Sequence, residues 1–265
     1  MEVPIMTSAR ALEKSAVLIT GGTSGVGLAT ARRFAEAGVP QIAIVGRNAT
    51  RGEQACAAVK ELHPGVDVVF IAGDAHVASE ATRIAAATHA RFGRIDVLVN
   101  STVGPYPPAL LHNTAIEDIQ LILLGQIMGP LLMSAAVLPV MREAGGGVIL
   151  NISSDAGKLA TPGEAVIGAA MAGIVMFSRT LAIEAKRDGI RVNALTPSLI
   201  EGTLTNDRMM QDAFATKLFE KARAAASLGV VVPDDMADLI VFLASPQAAR
   251  ITGQAISVNG GISAA

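Results

Sequence analysis

The sequence predicts an α/β chain in which about seven parallel strands form one doubly wound sheet with helices on both faces. Three observations carry that prediction. Short apolar runs alternate with longer helical patterns over most of the 265 residues, the repeated βα order that a parallel sheet needs to return the chain to the same edge. Directly after the first run comes Thr20-Gly21-Gly22-Thr23-Ser24-Gly25-Val26-Gly27, a glycine-rich turn that opens a helical pattern. Finally, 51% of the residues are hydrophobic and no Pro/Gly/Ser-rich linker divides them, so one core is expected.

The strands are expected at residues 16–20, 41–45, 66–71, 95–99, 147–152 and 190–195, with a short closing strand at 255–258. Each is a brief, nearly continuous apolar run, as in a sheet covered on both faces. Helical patterns fill the gaps at 26–37, 50–62, 79–92 and 164–187. The first ends before Gly38, a C-capping residue. Residues 119–141 carry no charge and are long enough to cross a bilayer. They also hold Gly125, Gln126, Gly129, Pro130, Ser134 and Pro139, which favours a buried or interface helix and no membrane span. Residues 1–13 are read as an N-terminal arm and 14–265 as the domain. A lid is expected at 199–226, where Met209, Met210, Phe214, Leu218 and Phe219 suit an apolar ligand or an interface equally.

Composition removes several function classes. The 21 Lys and Arg against 23 Asp and Glu leave a net charge of -2 with no basic block, so no nucleic-acid partner is expected. A single cysteine, Cys56, excludes an intramolecular disulfide and offers no thiol pair for zinc; no metal site is expected, and a cytoplasmic address is the simplest reading. Aromatic residues are 3% of the chain, with no Trp and one tyrosine, Tyr106.

Glycines at a strand-to-helix turn let the main chain approach a pyrophosphate at the positive helix end. The spacing of this turn resembles the TGxxxGxG turn of the short-chain dehydrogenase/reductase family, a Rossmann-type fold. Other segments extend the resemblance over residues 14–263: Asp74 after the third strand, Asn100 after the fourth, Asn151-Ile152-Ser153-Ser154, Arg191-Val192-Asn193-Ala194 with Pro197, Ile251-Thr252-Gly253-Gln254 and Asn259-Gly260-Gly261. The resemblance implies that a nicotinamide dinucleotide is held by Gly21, Thr23, Ser24, Gly25, Val26, Gly27, Arg47, Asp74, Ala75, Asn100, Pro197 and Ile200, and places the segment from Arg191 beside the nicotinamide. At the end of the second strand, Gly46 offers no carboxylate for a ribose hydroxyl, whereas Arg47 suits a 2'-phosphate. NADP(H) is therefore favoured, with NAD(H) left open.

The family's catalytic pair is missing. Its tyrosine falls thirteen residues after the serine, and its lysine four further on. Counting from Ser154 reaches Ile167 and Met171. The family's asparagine on the preceding helix falls at Gln126. Only Ser154 remains of the four, and neither Ile167 nor Met171 can handle a proton, a service typically worth about 10²- to 10⁴-fold in rate. Tyr106 and Asp155 are the candidate replacements as acid or base. His112 is expected in solvent, and Glu164 and Lys158 are expected to cap the helix or face water.

Three functions fit. The first is a divergent oxidoreductase that uses NADP(H) to deliver hydride to an imine, enone or activated carbonyl, with Ser154, Gln126 or Tyr106 as hydrogen-bond donor. The second is an inactive subunit partnering an active chain of the same family. The third is a non-redox lyase, isomerase or cyclase. The substrate is expected to be small and apolar. The resemblance further implies a homodimer or homotetramer, or a hetero-oligomer with another family member, assembled through the helices at 116–142 and 164–187.

Overall fold

The computed structural model describes residues 10–265. Its seven strands are β1 (Ala16–Thr20), β2 (Gln41–Gly46), β3 (Asp67–Ala72), β4 (Val97–Asn100), β5 (Gly147–Ile152), β6 (Ile190–Pro197) and β7 (Ala255–Val258). They form one sheet in the order β3-β2-β1-β4-β5-β6-β7, every neighbouring pair parallel. Helices α1 (Gly25–Glu36), α2 (Ala49–Leu62), α3 (Ala78–Phe92), α4 (Ile116–Glu143), α5 (Ala165–Ala185), α6 (Leu204–Met209), α7 (Ala213–Ala225) and α8 (Pro233–Ala244) complete the fold.

β1 is buried along its whole length, and its alternate residues feed two separate cores. Val17 and Ile19 join Phe34, Ile42, Ile44 and Ile240 beneath α1, α2 and α8. Ala16 and Leu18 join Ile84, Leu98, Met133 and Ile149 beneath α3, α4 and α5. The period-2 side-chain direction of a strand thus partitions the core. Strand order reverses between β1 and β4, which opens a crevice at their carboxyl ends.

Helix boundaries follow local chemistry. The Asn48 side chain accepts the Arg51 N–H at 2.9 Å to start α2, and Gly93, at φ 73°, ends α3 in the left-handed conformation. Two strand ends depart from the pattern of apolar residues. Ile95 is buried but precedes β4; between them Asp96 bonds both neighbouring strands through its main chain, and its carboxylate accepts the Ala16 N–H at 2.8 Å and pairs with Arg94. β6 runs to Pro197, since β7 pairs with residues Ala194 to Pro197.

Of the expected N-terminal arm, residues 1–9 lie outside the described residues. Leu12–Lys14 forms one 3₁₀ turn, with Leu12 packed on the core. The segment 199–226 folds as α6 and α7. Both α4 and α5 are long and apolar enough to cross a membrane by length and composition, yet each buries one face in the sheet layer, through residues such as Met133 and Val137 of α4 and Ile174 and Leu181 of α5.

Candidate active site

A cavity of about 910 Å³ opens at the carboxyl ends of β1 and β4, walled by the glycine turn, the loops after β2, β3 and β4, the start of α5 and the segment from Pro197 through α7. Its first end is the turn after β1. Gly21 sits at φ 68°, and a Cβ there would lie 2.4 Å from the Ser101 carbonyl oxygen. Gly25, at φ 50°, opens α1 in the left-handed region that favours glycine. Gly21, Thr23, Ser24, Gly25 and Val26 all line the cavity.

Gly27 does not line it. A Cβ at Gly27 would come within 2.4 Å of the Gly21 carbonyl oxygen, so this glycine lets α1 lie against the turn. Asn100 is likewise behind the wall. Its amide donates to Asn151 Oδ1 at 2.8 Å, and its carbonyl oxygen accepts from Thr20 Oγ1 at 3.3 Å, while Asn151 donates to Ser178. This buried chain ties β1, β4, β5 and α5 together, so Asn100 serves the sheet and offers no side chain to a ligand. Arg191 and Asn193 are also remote from the cavity: both donate to the Ile251 carbonyl, and Arg191 adds the Leu243 carbonyl, joining β6 to the end of α8 and to the loop before β7. Pro197 and Ile200 do reach the wall.

Beside the turn lie Arg47, Asp74 and Ala75, together with Arg51 and His76, which sequence reasoning missed. Arg47 is largely exposed and its guanidinium is 3.7 Å from the Asp74 carboxylate. Burial pushes the Asp74 carboxyl up, but the backbone and ring N–H groups of His76, aided by Arg47, outweigh that and hold it below the usual carboxylate range. His76 Nδ1 is 3.2 Å from Asp74 Oδ1, while its Nε2 is buried without a partner, as is Thr102 Oγ1. The spacing Asp-x-His was the available signal, because an aspartate often accepts the backbone N–H two residues on.

At the other end, Ser154, Ile167, Met171, Tyr106 and Gln126 converge on the same space. The Ser154 Oγ accepts the Ala156 N–H at 3.2 Å, which leaves its own proton to donate. The carbonyl of Gln126 accepts the Gly104 N–H at 3.1 Å and so pins the loop that carries Tyr106 against α4. The Tyr106 ring lies over Gly125, where a Cβ would be 3.1 Å from its Cε2. Ile167 and Met171 contribute hydrocarbon and thioether surface only, and the Met171 carbonyl accepts the Ser153 hydroxyl at 2.9 Å.

Three expectations are corrected here. Asp155 is outside the cavity wall; its buried carboxylate accepts from Asn259, Ser263 and Ser257, so it anchors the chain after β7 and is not placed to act as acid or base. Lys158 neither caps a helix nor faces water: its ammonium donates to Ser257 and to the Ala265 carbonyl, and it lies 3.9 Å from Asp155. Glu164 makes no side-chain cap to α5 and lines the cavity, where burial raises its carboxyl to about 7 against a lesser opposing effect from a Thr161 hydrogen bond. Its place three residues before Ile167, about one helical turn, could have revealed it. His112 lies exposed in a 3₁₀ turn away from the cavity, as expected.

Comparison with known proteins agrees with this architecture. Residues 21–263 match the family profile described as enoyl-(acyl carrier protein) reductase. The chain belongs to the short-chain dehydrogenase/reductase family. Among relatives of this family, an oxidoreductase of Thermotoga maritima is 32% identical over 94% of this chain and 97% of its own. A 3-oxoacyl-[acyl-carrier-protein] reductase of Synechocystis is also 32% identical, over 95% and 98% of the two chains. The crystal structure of a 3-ketoacyl-(acyl-carrier-protein) reductase from Brucella melitensis, complexed with NADH, is similar at a TM-score of 0.83 and 31% identity, covering 96% of this chain and 100% of that one. Among dehydrogenase/reductase chains of this kind the seven-stranded sheet is shared, and this protein is an oxidoreductase of that family.

Proposed function

We propose that this chain binds NADP(H) and reduces a small, largely apolar imine, enone or activated carbonyl by a non-standard arrangement of residues. The observation that carries the reading is one continuous cavity with a glycine cradle at one end and, at the other, the Ser154 hydroxyl beside the hydrocarbon of Ile167 and Met171.

The residues present fit a dinucleotide. Gly21 lets the turn pass close against Ser101, and Gly25 opens α1 at the cavity wall, where the helix N-terminus suits a pyrophosphate. Gly46 has no room for a side chain, as a Cβ would sit 2.7 Å from Thr23 Cγ2, so no acid can stand there to repel a 2'-phosphate. Arg47 and Arg51 supply guanidinium groups at the same end. When bound, the dinucleotide supplies or accepts a hydride. Ser154 then donates a hydrogen bond to the polarised atom of the substrate, Tyr106 offers a phenol from the opposite loop, and the Gln126 amide nitrogen is the remaining donor on α4. Leu199, Met209 and Phe219 exclude water.

A cytoplasmic setting belongs to this reading, as does self-association through α4 and α5. The test is paired: NADPH and NADH binding by fluorescence, then single-turnover oxidation with a panel of imines, enones and ketones. Tight NADPH binding with oxidation by at least one class supports the proposal. Binding without oxidation by any member points to an inactive partner subunit, and product isomeric with substrate, without cofactor turnover, points to non-redox chemistry.

A further inference from the structure

Glu164 stands at the start of α5 and shares the cavity wall with Ile167 and Met171 one and two turns further on. Among the described residues its carboxyl has no ion-pair partner, and the only group that assists it is Thr161. The other charged or titratable groups of the wall are Asp207 and Arg208 on α6, Tyr106 on the loop after β4, and Arg47, Arg51, Asp74 and His76 around the turn. None of these forms an ion pair with Glu164. Its surroundings are instead apolar, with Ile167, Met171, Met209 and Phe219 in the same wall. Over it, α7 is seated by Phe214, whose ring occupies the space a side chain at Gly163 would need: a Cβ there would be 2.4 Å from Phe214 Cε1.

A carboxylate drawn from water with no cation beside it is unfavourable, and a ligand that brings the missing cation relieves that cost. We propose that Glu164 is the counter-ion for a cationic substrate, a protonated imine or related amine with apolar substituents. The inference rests on the reductase reading above and deepens it. Met171 places no ammonium group where it would repel such a ligand, and Tyr106 adds an aromatic residue to the same wall. An iminium carbon that gains a hydride becomes a neutral amine without a proton donor, which suits a wall whose Ile167 has none to give. The neutral amine first formed is a stronger base than the Glu164 carboxylate, so it takes up a proton from solvent and leaves as the ammonium, which water solvates, while Glu164 is free for the next cation.

The experiment compares benzyltrimethylammonium with its uncharged isostere neopentylbenzene, each titrated into the intact protein with and without NADPH. The cation is expected to bind about tenfold or more tightly at pH 8, and its advantage should shrink about tenfold by pH 6 as the carboxyl is protonated. Glu164→Gln should remove the preference while circular dichroism and NADPH binding stay unchanged. Equal binding of the two probes to the wild type overturns the inference, as does a preference that survives in Glu164→Gln. Should that variant not fold, the wild-type pH series decides: a preference flat from pH 6 to pH 8 refutes it. Loss of NADPH binding with the cation preference intact would defeat the reductase reading alone, whereas oxidation of NADPH by neutral carbonyls without any cation preference would defeat the inference alone.

Discussion

At the scale of single residues, neighbours in space decide function more than residue type does. Glu164 and Asp155 are both carboxylates near Ser154, but Asp155 is saturated by Asn259, Ser263 and Ser257, while Glu164 faces the cavity with little support. That contrast predicts a pH effect on stability. The Glu164 carboxyl is raised from 4.5 to about 7 in the folded state. Between those values the folded chain holds a proton that the unfolded chain has released, so stability falls as pH rises from about 4.5 to 7 and is then level. Glu164→Gln should flatten this slope and stabilise the protein at pH 8 by about 1–3 kcal/mol, with little change at pH 4.5. Urea unfolding of both proteins at the two pH values measures it, and parallel pH profiles would contradict the assignment. A second prediction concerns Arg47, whose exposed guanidinium stands 3.7 Å from the Asp74 carboxylate. Arg47→Ala should weaken NADPH binding about tenfold or more and leave NADH nearly unchanged, since only a 2'-phosphate calls on that charge. Equal losses for both dinucleotides would argue against it. Cavity-lining glycines were legible in the sequence because spacing encodes backbone shape, and Ile167 and Met171 because register encodes position. Glu164 was not, because its meaning depends on α7 and on the absence of a cation, which no local pattern records.

Elements show where pattern ends and tertiary contact begins. The strands expected at 147–152 and 255–258 match the structure, since their apolar runs are bounded by polar or glycine residues. The strand expected from Ile95 begins at Val97, and Asp96, an ordinary acid in the sequence, bonds the neighbouring strands through its main chain and the Ala16 N–H through its carboxylate in the fold. Asn100 failed as a ligand for a similar reason: it follows β4, but its side chain turns inward to Asn151. Asp155 gives the corresponding test for an element. It holds the segment after β7 beside the turn that presents Ser154, through buried hydrogen bonds. Asp155→Ala removes the acceptor shared by the Asn259 amide and the Ser263 hydroxyl and takes the nearby carboxylate from the largely buried Lys158 ammonium, a loss of about 1–3 kcal/mol. The melting temperature should fall by several degrees, and cofactor affinity should change far less than stability. A loss of turnover in a protein of unchanged melting temperature would restore a catalytic reading of Asp155.

Across the whole molecule, the outer faces of the two longest helices are too apolar for a surface left in water. Ile116, Leu121 and Leu124 on α4, and Met176 and Ile183 on α5, are exposed, Ile116 by 76% and Ile183 by 62%. Both helices already bury their inner faces against β4, β5 and β6 and pack on each other, and these side chains stay exposed among the described residues. Apolar side chains exposed in this number on two packed helices of a folded chain ordinarily meet another chain, and the commonest closed solution is a two-fold pair in which the same surface meets itself. The uncharged stretch 119–141, which by composition alone suits a bilayer, buries one face in the sheet layer, and pairing of copies is what we expect to cover the other. We therefore expect light scattering to return twice or four times the mass of one chain. Leu124→Glu combined with Ile183→Glu places like charges across the two-fold and should shift the mass toward a single chain, with circular dichroism unchanged because neither residue belongs to either core. The cavity lies at the carboxyl edge of the sheet and not on that outer surface, so the dissociated variant should still bind NADPH within about threefold of the wild type. A wild-type protein that is monomeric at micromolar concentration would refute self-association, and binding that collapses together with the oligomer would show that assembly completes the site.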